Sequence, residues 1–209
     1  MPRGSAELTN ARREEIISAC EQLYQTMSFK EITLRDIAGA TSFTRTSIYN
    51  YFQTKEEIFL ALMQKEYERW VEELDAMADA YTTLSTEAFA SALAHTLEKR
   101  GMLLKLLSMN HFDMEDNSRP ECLREFKLAY GASIEAVRRC LIKFFPGMNA
   151  LAQRDFLYAF FPFLYGLYPY TTVSAKQRQA MSEAGLDFVY MSVFDMARNC
   201  VRALLGAAQ

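Results

Sequence analysis

One run of eight residues in this sequence concentrates side chains that can read a DNA base. Arg45 can fork onto a guanine edge in the major groove, and the Thr46 methyl can meet a thymine. Thr44, Ser47, Tyr49, Asn50 and Tyr51 supply hydroxyl or amide groups around them. Thr33 and Arg35 upstream, and Lys55 just after, are placed to grip the flanking backbone phosphates. This chemistry requires a short exposed helix lying in the groove, a second short helix crossing the backbone, and a tight turn between them.

The surrounding residues predict those elements. From Ala11 to about Met27, Ile16, Cys20, Leu23, Tyr24 and Met27 recur at helical spacing, while Arg12, Arg13, Glu14, Glu15 and Glu21 fall on other faces. Thr33 with Asp36 three residues on has the form of a helix N-cap and opens a very short helix, from Leu34 to about Ala40. Thr44 opens the next after only Thr41-Ser42-Phe43, which is helix-turn-helix spacing. Thr54-Lys55-Glu56-Glu57 forms a capping box for a longer helix through Phe59, Leu62, Met63, Trp70, Leu74 and Met77. The core of this unit is expected from Ile16, Leu23, Ile37, Ala38, Ile48, Phe52, Ile58 and Leu62.

Beyond Tyr81 the pattern is helical throughout, with helices expected at 86–99, 102–110, 120–145, 150–168 and 183–205 and a polar loop at 113–120. The last of these has one apolar stripe through Leu186, Val189, Val193, Ala197, Cys200 and Leu204 and another through Phe188, Met191 and Phe194. A helix apolar on two sides needs two partners. A homodimer interface is therefore expected from Phe188, Met191 and Phe194 with Phe156 and Phe160 of the preceding helix.

Composition bounds the class. The 209 residues are 50% hydrophobic and 23% charged, with only 8 Gly and 5 Pro, which excludes a disordered or collagen-like chain and disfavours a many-stranded one. The fold class expected is all-α: an N-terminal helix-turn-helix unit at 1–55 and a larger C-terminal helical bundle at 56–209 that dimerises. The net charge of −3 announces no general affinity for polyanions, but it is unevenly spread. Residues 1–55 carry net +1 and the remainder −4, so DNA should meet the first part. The uncharged stretch 156–175 is just long enough to cross a bilayer, yet Pro162, Gly166 and Pro169 interrupt it, and a buried helix with no membrane partner is the expectation. Met1 to Asn10 lacks an apolar leader, which points to the cytoplasm, and Pro2-Arg3-Gly4-Ser5 looks like a tag remnant. Cys20, Cys122, Cys140 and Cys200 have neither redox nor zinc spacing and read as buried thiols.

The run Ile32-Thr33-Leu34-Arg35-Asp36-Ile37-Ala38, followed by Thr44-Arg45-Thr46-Ser47-Ile48-Tyr49-Asn50-Tyr51-Phe52-Gln53-Thr54-Lys55-Glu56-Glu57-Ile58, resembles the DNA-binding signature of the TetR family of transcriptional repressors. Its most specific portion is Tyr49-x-Tyr51-Phe52-x-x-Lys55-Glu56-Glu57-Ile58, and the match covers about residues 10–63. The resemblance implies phosphate contacts from Thr33, Tyr49, Tyr51 and Lys55, and base contacts from Thr44, Arg45 and Thr46. One departure stands out: the tight turn usually carries Gly before an apolar residue, and here it is Ser42-Phe43. Ser lacks glycine's freedom at positive φ, so a strained or altered turn is expected.

The resemblance also implies a ligand among the middle helices. Met102, Leu106, Met109, Phe126, Tyr130, Phe163, Tyr165 and Tyr168 form the expected lining, suited to a hydrophobic or aromatic small molecule, and His95 or His111 could orient a polar group of it. Asp113, Glu115 and Asp116 read as solvated rather than as metal ligands, and no cofactor is expected. Catalysis is not expected, since Gly-x-Ser-x-Gly, phosphate-cradling Gly-rich and His-Glu-x-x-His patterns are all missing from the sequence. The expected function is a ligand-responsive repressor binding a palindromic operator as a homodimer. The alternatives are the same fold as an activator or ligand-independent regulator, or a helical small-molecule-binding protein without DNA function.

Overall fold

The computed structural model describes residues 3–109 and 111–207, with side chains from residue 7 onward. Among the described residues eleven helices follow one another: α1 (Arg3–Thr26), α2 (Leu34–Gly39), α3 (Arg45–Ile48), α4 (Lys55–Ala80), α5 (Thr86–Glu98), α6 (Gly101–Leu107), α7 (His111–Asp116), α8 (Pro120–Phe144), α9 (Ala150–Thr171), α10 (Ala175–Glu183) and α11 (Val193–Ala207). No strand occurs among the described residues. Of the Pro2 to Ser5 stretch, Pro2 lies outside the described residues and 3–5 form the first turn of α1.

The chain divides into two compact units, Met1–Glu66 with Asn110–Tyr130, and Tyr67–Met109 with Gly131–Gln209. The expected division at 55/56 cuts α4 at its first turn, whereas the observed first unit keeps its first three turns and adds α7 with the start of α8. In the first unit α2 packs against both α1 and α3. Ile16, Ile37, Ala38, Ile48, Phe52, Ile58 and Leu62 are buried there as expected, while Leu23 is half-buried. Phe59 holds two edge-on aromatic neighbours, Tyr24 at 5.1 Å and Phe29 at 4.8 Å, which fix α4 against the end of α1.

In the second unit α11 lies against α5 and α9, and α6 lies against α9. Trp70 of α4 is fully buried; its ring approaches Phe161 of α9 at 5.9 Å and its indole N–H donates to the Thr96 hydroxyl of α5 at 2.9 Å. The uncharged stretch at 156–175 runs along α9 to its end at Thr171 and into the start of α10; α9 buries Phe156, Leu157, Phe160, Phe161, Leu164 and Leu167 and keeps Pro162 and Pro169 on its exposed side. No helix among the described residues is long and apolar enough to cross a membrane.

Two expected elements are corrected. The helix predicted at 183–205 begins only at Val193, because α10 closes in a Schellman arrangement. Gly185 at φ +67° donates to the Ser182 carbonyl, and the Leu186 amide reaches back to Met181. Ser192 and Asp195 then exchange hydrogen bonds as a new N-terminal cap. The polar loop predicted at 113–120 is a loop only at 117–119: α7 runs through Asp116 with Met114 buried, the side chains of Asn117 and Ser118 donate to its Asp113 and Met114 carbonyls, and α8 begins at Pro120.

The thiols of Cys20, Cys122 and Cys140 are buried and that of Cys200 is half-buried. Burial pushes Cys20 up to about 12 and both Cys140 and Cys200 up to about 11, which keeps them as unreactive thiols at neutral pH. Because Trp70 joins three helices of its unit, Trp70→Ala should lower unfolding free energy by about 3–5 kcal/mol, read from the urea midpoint of the helical circular dichroism signal.

Candidate nucleic-acid interface

The helices that would meet DNA have six and four residues, so their geometry is set by their ends. At the start of α2, Thr33 and Asp36 form a full capping box. The Asp36 amide donates to the Thr33 hydroxyl oxygen, while the Thr33 amide and hydroxyl donate to the Asp36 carboxylate at 2.9 and 2.6 Å. These Thr33 bonds hold the Asp36 carboxyl below its ordinary value. At the start of α3, the Thr44 hydroxyl accepts from the Ser47 amide and lies 3.0 Å from the Ser47 hydroxyl. Beyond Ile48 the chain tightens into i to i−3 bonds from Asn50 and Tyr51, so the reading segment is one helical turn prolonged by a tighter one.

The turn between α2 and α3 does not depend on glycine. Among the described residues no non-glycine residue has positive φ, so the strain expected at Ser42 is not found. The Ser42 amide instead donates to the Glu15 carboxylate of α1 at 2.6 Å, which holds that carboxyl below its ordinary value. Phe43 is half-buried, with its ring 6.3 Å from Tyr51.

The surface this builds is open to solvent. Thr44, Arg45, Thr46, Tyr49 and Asn50 are exposed around a fully buried Ile48, and Ser47 and Tyr51 are half-buried. Thr33, Arg35, Arg45 and Lys55, expected to touch DNA from three elements, line one hollow of about 580 Å3 together with Ile32, Leu34, Thr54 and Glu56. Arg45 lies back along α3 and donates to the Tyr49 hydroxyl at 3.1 Å. Lys55 donates to the carbonyls of Phe29 at 2.7 Å and Ile32 at 3.1 Å, so it anchors the approach to α2 with two of its three donors. Thr33 has both its donors on Asp36, and a phosphate there would have to compete with the cap.

Sequence reasoning missed three contributors. Arg12 of α1 is exposed and donates to the Tyr51 hydroxyl at 3.3 Å, which leaves the Tyr51 proton free to point elsewhere. Glu15 supports the turn, as described. Arg119, far along the sequence, donates to Glu57 and to the Tyr51 carbonyl. The i, i+3 spacing of Arg12 and Glu15 on the first helix was legible; the Arg119 contact was not, at a separation of 62 residues from Glu57.

The expected ligand lining is split. Phe126 and Tyr130 belong to the first unit, and Met102, Leu106, Met109, Phe163, Tyr165 and Tyr168 to the second. Within the second unit, Leu106 is buried and the other five are half-buried, on or beside the packed pair α6 and α9. Two hollows of that unit, one lined by Asn149, Leu151, Asp155 and Leu204 and the other by Thr86, Glu87, Asn199 and Arg202, include none of these six residues. His95 is largely exposed, with Nδ1 3.1 Å from Glu98 and its ring against Phe194.

The expected dimer set is corrected in part. Phe156 and Phe160 are 2% and 0% exposed, with their rings tilted against one another at 5.5 Å inside their unit, so their side chains are not available to a second copy. The same helix turns Leu151, Tyr158 and Tyr170 outward. Phe188, Met191 and Phe194 are half-buried, and Phe188 sits between the rings of Tyr170 and Tyr190.

An exposed, capped helix-turn-helix followed by a larger helical unit defines a DNA-binding regulator as the class of protein. The sequence signature described as "Bacterial regulatory proteins, tetR family" matches residues 16–62, and that described as "Tetracyclin repressor-like, C-terminal domain" matches 64–206. The chain belongs to the TetR family of transcriptional regulators. It is 26% identical over 78 residues to an uncharacterized HTH-type transcriptional regulator of Bacillus subtilis, YfiR, covering 37% of this chain and 38% of that protein. It is 28% identical over 69 residues to the HTH-type transcriptional repressor Rv1474c of Mycobacterium tuberculosis, covering 33% and 37%. The chain thus matches less than two fifths of the length of these curated relatives.

Solved structures extend the likeness to the whole fold. A TetR-family regulator from Mesorhizobium loti superposes with a TM-score of 0.62 at 16% identity, covering 95% of this chain and 97% of that one. The fatty acid degradation regulator FadR of Bacillus halodurans gives 0.59 at 16% identity, covering 94% and 99%. FadR of Thermus thermophilus, solved in complex with lauroyl-CoA, gives 0.58 at 18% identity, covering 92% and 93%.

Asp36, Glu15 and Glu57 all have lowered values in the folded chain. As pH falls below the ordinary 4.5 of a glutamate, the unfolded chain therefore takes up protons first and stability drops; the contribution is complete above that range and lost as pH falls through the folded values. Urea midpoints between about pH 7 and about pH 3 should decline, and Asp36→Asn should flatten the acid limb.

Proposed function

We propose that this chain is a ligand-responsive transcriptional repressor that binds a palindromic operator as a homodimer and is released by a hydrophobic or aromatic small molecule. The observation that carries the DNA-reading half is the exposure of Arg45, Thr46, Tyr49 and Asn50 around a buried Ile48. The helix is anchored on its inner side and free on the side that would enter the major groove. Arg45 reads a base, and the phosphate grip comes from Tyr49, Tyr51, Arg35 and the remaining Lys55 donor. Thr44 and Ser47 hold the helix start. Two such heads are required, because a single four-residue helix with few surrounding cations gives little affinity and half-sites lie about 34 Å apart.

The sensing half is supported by the half-buried Met102, Met109, Phe163, Tyr165 and Tyr168 beside the packed α6 and α9. Aromatic and thioether side chains suit an apolar ligand, and tyrosine hydroxyls can orient its polar end. The lauroyl-CoA complex of the Thermus thermophilus protein makes acyl thioesters the first probes to use. The effector acts by preferring the arrangement of the two heads that does not fit the operator.

The test is retardation of the DNA upstream of the coding region, with and without a panel of acyl-CoAs and aromatic compounds. Wild-type protein should bind in the nanomolar range and lose affinity steeply with salt. Arg45→Ala should weaken binding by about ten- to a hundredfold while leaving the dimer mass unchanged. Equal retention of wild type and Arg45→Ala would refute the assignment of this helix.

A further inference from the structure

The carboxylate of Glu57, in the first turn of α4, has 0% exposure. Each of its oxygens receives two donors. Oε1 accepts from the Arg119 backbone amide at 3.1 Å and from Arg119 Nε at 2.7 Å. Oε2 accepts from Arg119 Nη2 at 2.9 Å and from the Gln53 amide at 2.8 Å. Burial by itself would raise this carboxyl, but the bonds from Arg119 and Gln53 outweigh it and hold the group ionised. Arg119 Nη2 also donates to the Tyr51 carbonyl at 3.2 Å, and beside it the Thr54 hydroxyl donates to the Asn117 carbonyl at 3.0 Å.

Tyr51 closes the turn that prolongs α3, so its carbonyl lies within two residues of the exposed Tyr49 and Asn50. The segment that grips it, 117–120, is the corner between α7 and α8. A planar guanidinium can face a carboxylate with two N–H groups and still reach a carbonyl with another; an ammonium has no such fixed fork. A half-buried ion pair adds little net stability over a well-packed apolar pair, so directional hold is its distinct contribution.

We infer that Arg119 is a positioning residue for operator recognition, holding Glu57 and the Tyr51 carbonyl together so that the α3 turn presents its base-reading face at one fixed pitch. The inference rests on the reading of α3 as the operator-reading helix. It adds a residue outside the helix-turn-helix signature, contributed by the α7 to α8 corner, on which the discrimination of that helix depends.

The test compares binding of the full chain to a labelled operator duplex and to a scrambled duplex of the same composition, at one salt concentration. Two variants are used: Arg119→Lys, which keeps the charge facing Glu57, and the double variant Glu57→Gln with Arg119→Leu, which leaves no unpaired buried charge. Binding to the scrambled duplex should stay at the wild-type level in both. The operator-over-scrambled ratio should fall about tenfold in the double variant and by a smaller factor in Arg119→Lys. An unchanged ratio in both variants, an equal loss on both duplexes, or loss of the helical signal in both would each overturn the positioning role. Absence of any operator preference in the unsubstituted protein would remove the DNA-reading assignment itself, in an arm that contains no substitution, and the inference with it.

Discussion

Short helices cannot hold themselves. Helices of six and four residues lie below the length at which backbone hydrogen bonding offsets nucleation, so every terminal donor and acceptor of α2 and α3 must be satisfied from elsewhere or left to solvent. In this chain the satisfaction is polar and specific. Asp36 and Thr33 close the start of α2, Glu15 takes the turn amide at Ser42, Thr44 takes the Ser47 amide, and Arg119 takes the Tyr51 carbonyl. The buried Ile37, Ile48 and Phe52 anchor the pair from beneath. The outward surface is what remains after these requirements are met, and it is there that Arg45, Thr46, Tyr49 and Asn50 are found.

The same bookkeeping accounts for residues with two claims on them. Lys55 and Thr33 are suited to phosphate by type, yet their donors are engaged with the carbonyls of Phe29 and Ile32 and with Asp36. Tyr51 is engaged differently, because Arg12 occupies its oxygen as an acceptor and leaves the hydroxyl proton to be given. Type alone therefore does not separate a group whose donors are engaged, as in Thr33, from one with a donor left, as in Lys55 and Tyr51. Their existing bonds rank them better.

In the second unit the governing interactions are apolar. Trp70 of α4, Phe161 of α9 and Thr96 of α5 meet in one buried cluster, and α11 adds Ala197, Val201 and Leu205 to the core. Five of the residues expected to meet a ligand remain half-buried beside α6 and α9, where a thioether or an aromatic ring can shift at modest cost. Tyr158 and Leu151 on the outer side of α9 are left bare by the same packing that buries Phe156 and Phe160.

The sequence by itself determined the local elements whose signals lie within a few residues of one another. Thr33 with Asp36, Thr44 as the opener of α3 and the helical spacing of Ile16, Cys20 and Tyr24 were all legible, and so was the burial of Ile48 beneath the exposed Thr44, Arg45, Thr46, Tyr49 and Asn50. The break before α11 was present too, as Gly185 and the Ser192 to Asp195 cap, but was outweighed by an apolar periodicity that ran through it. The tertiary structure alone decided which face of α9 is inside, since a helix rich in aromatics on every side shows no preference until its neighbours are in place. It also decided that Glu57 and Arg119 meet. Their pairing depends on the path of the chain through α4 to α7, and hydrogen bonds between residues so far apart leave no periodic or local mark in the sequence.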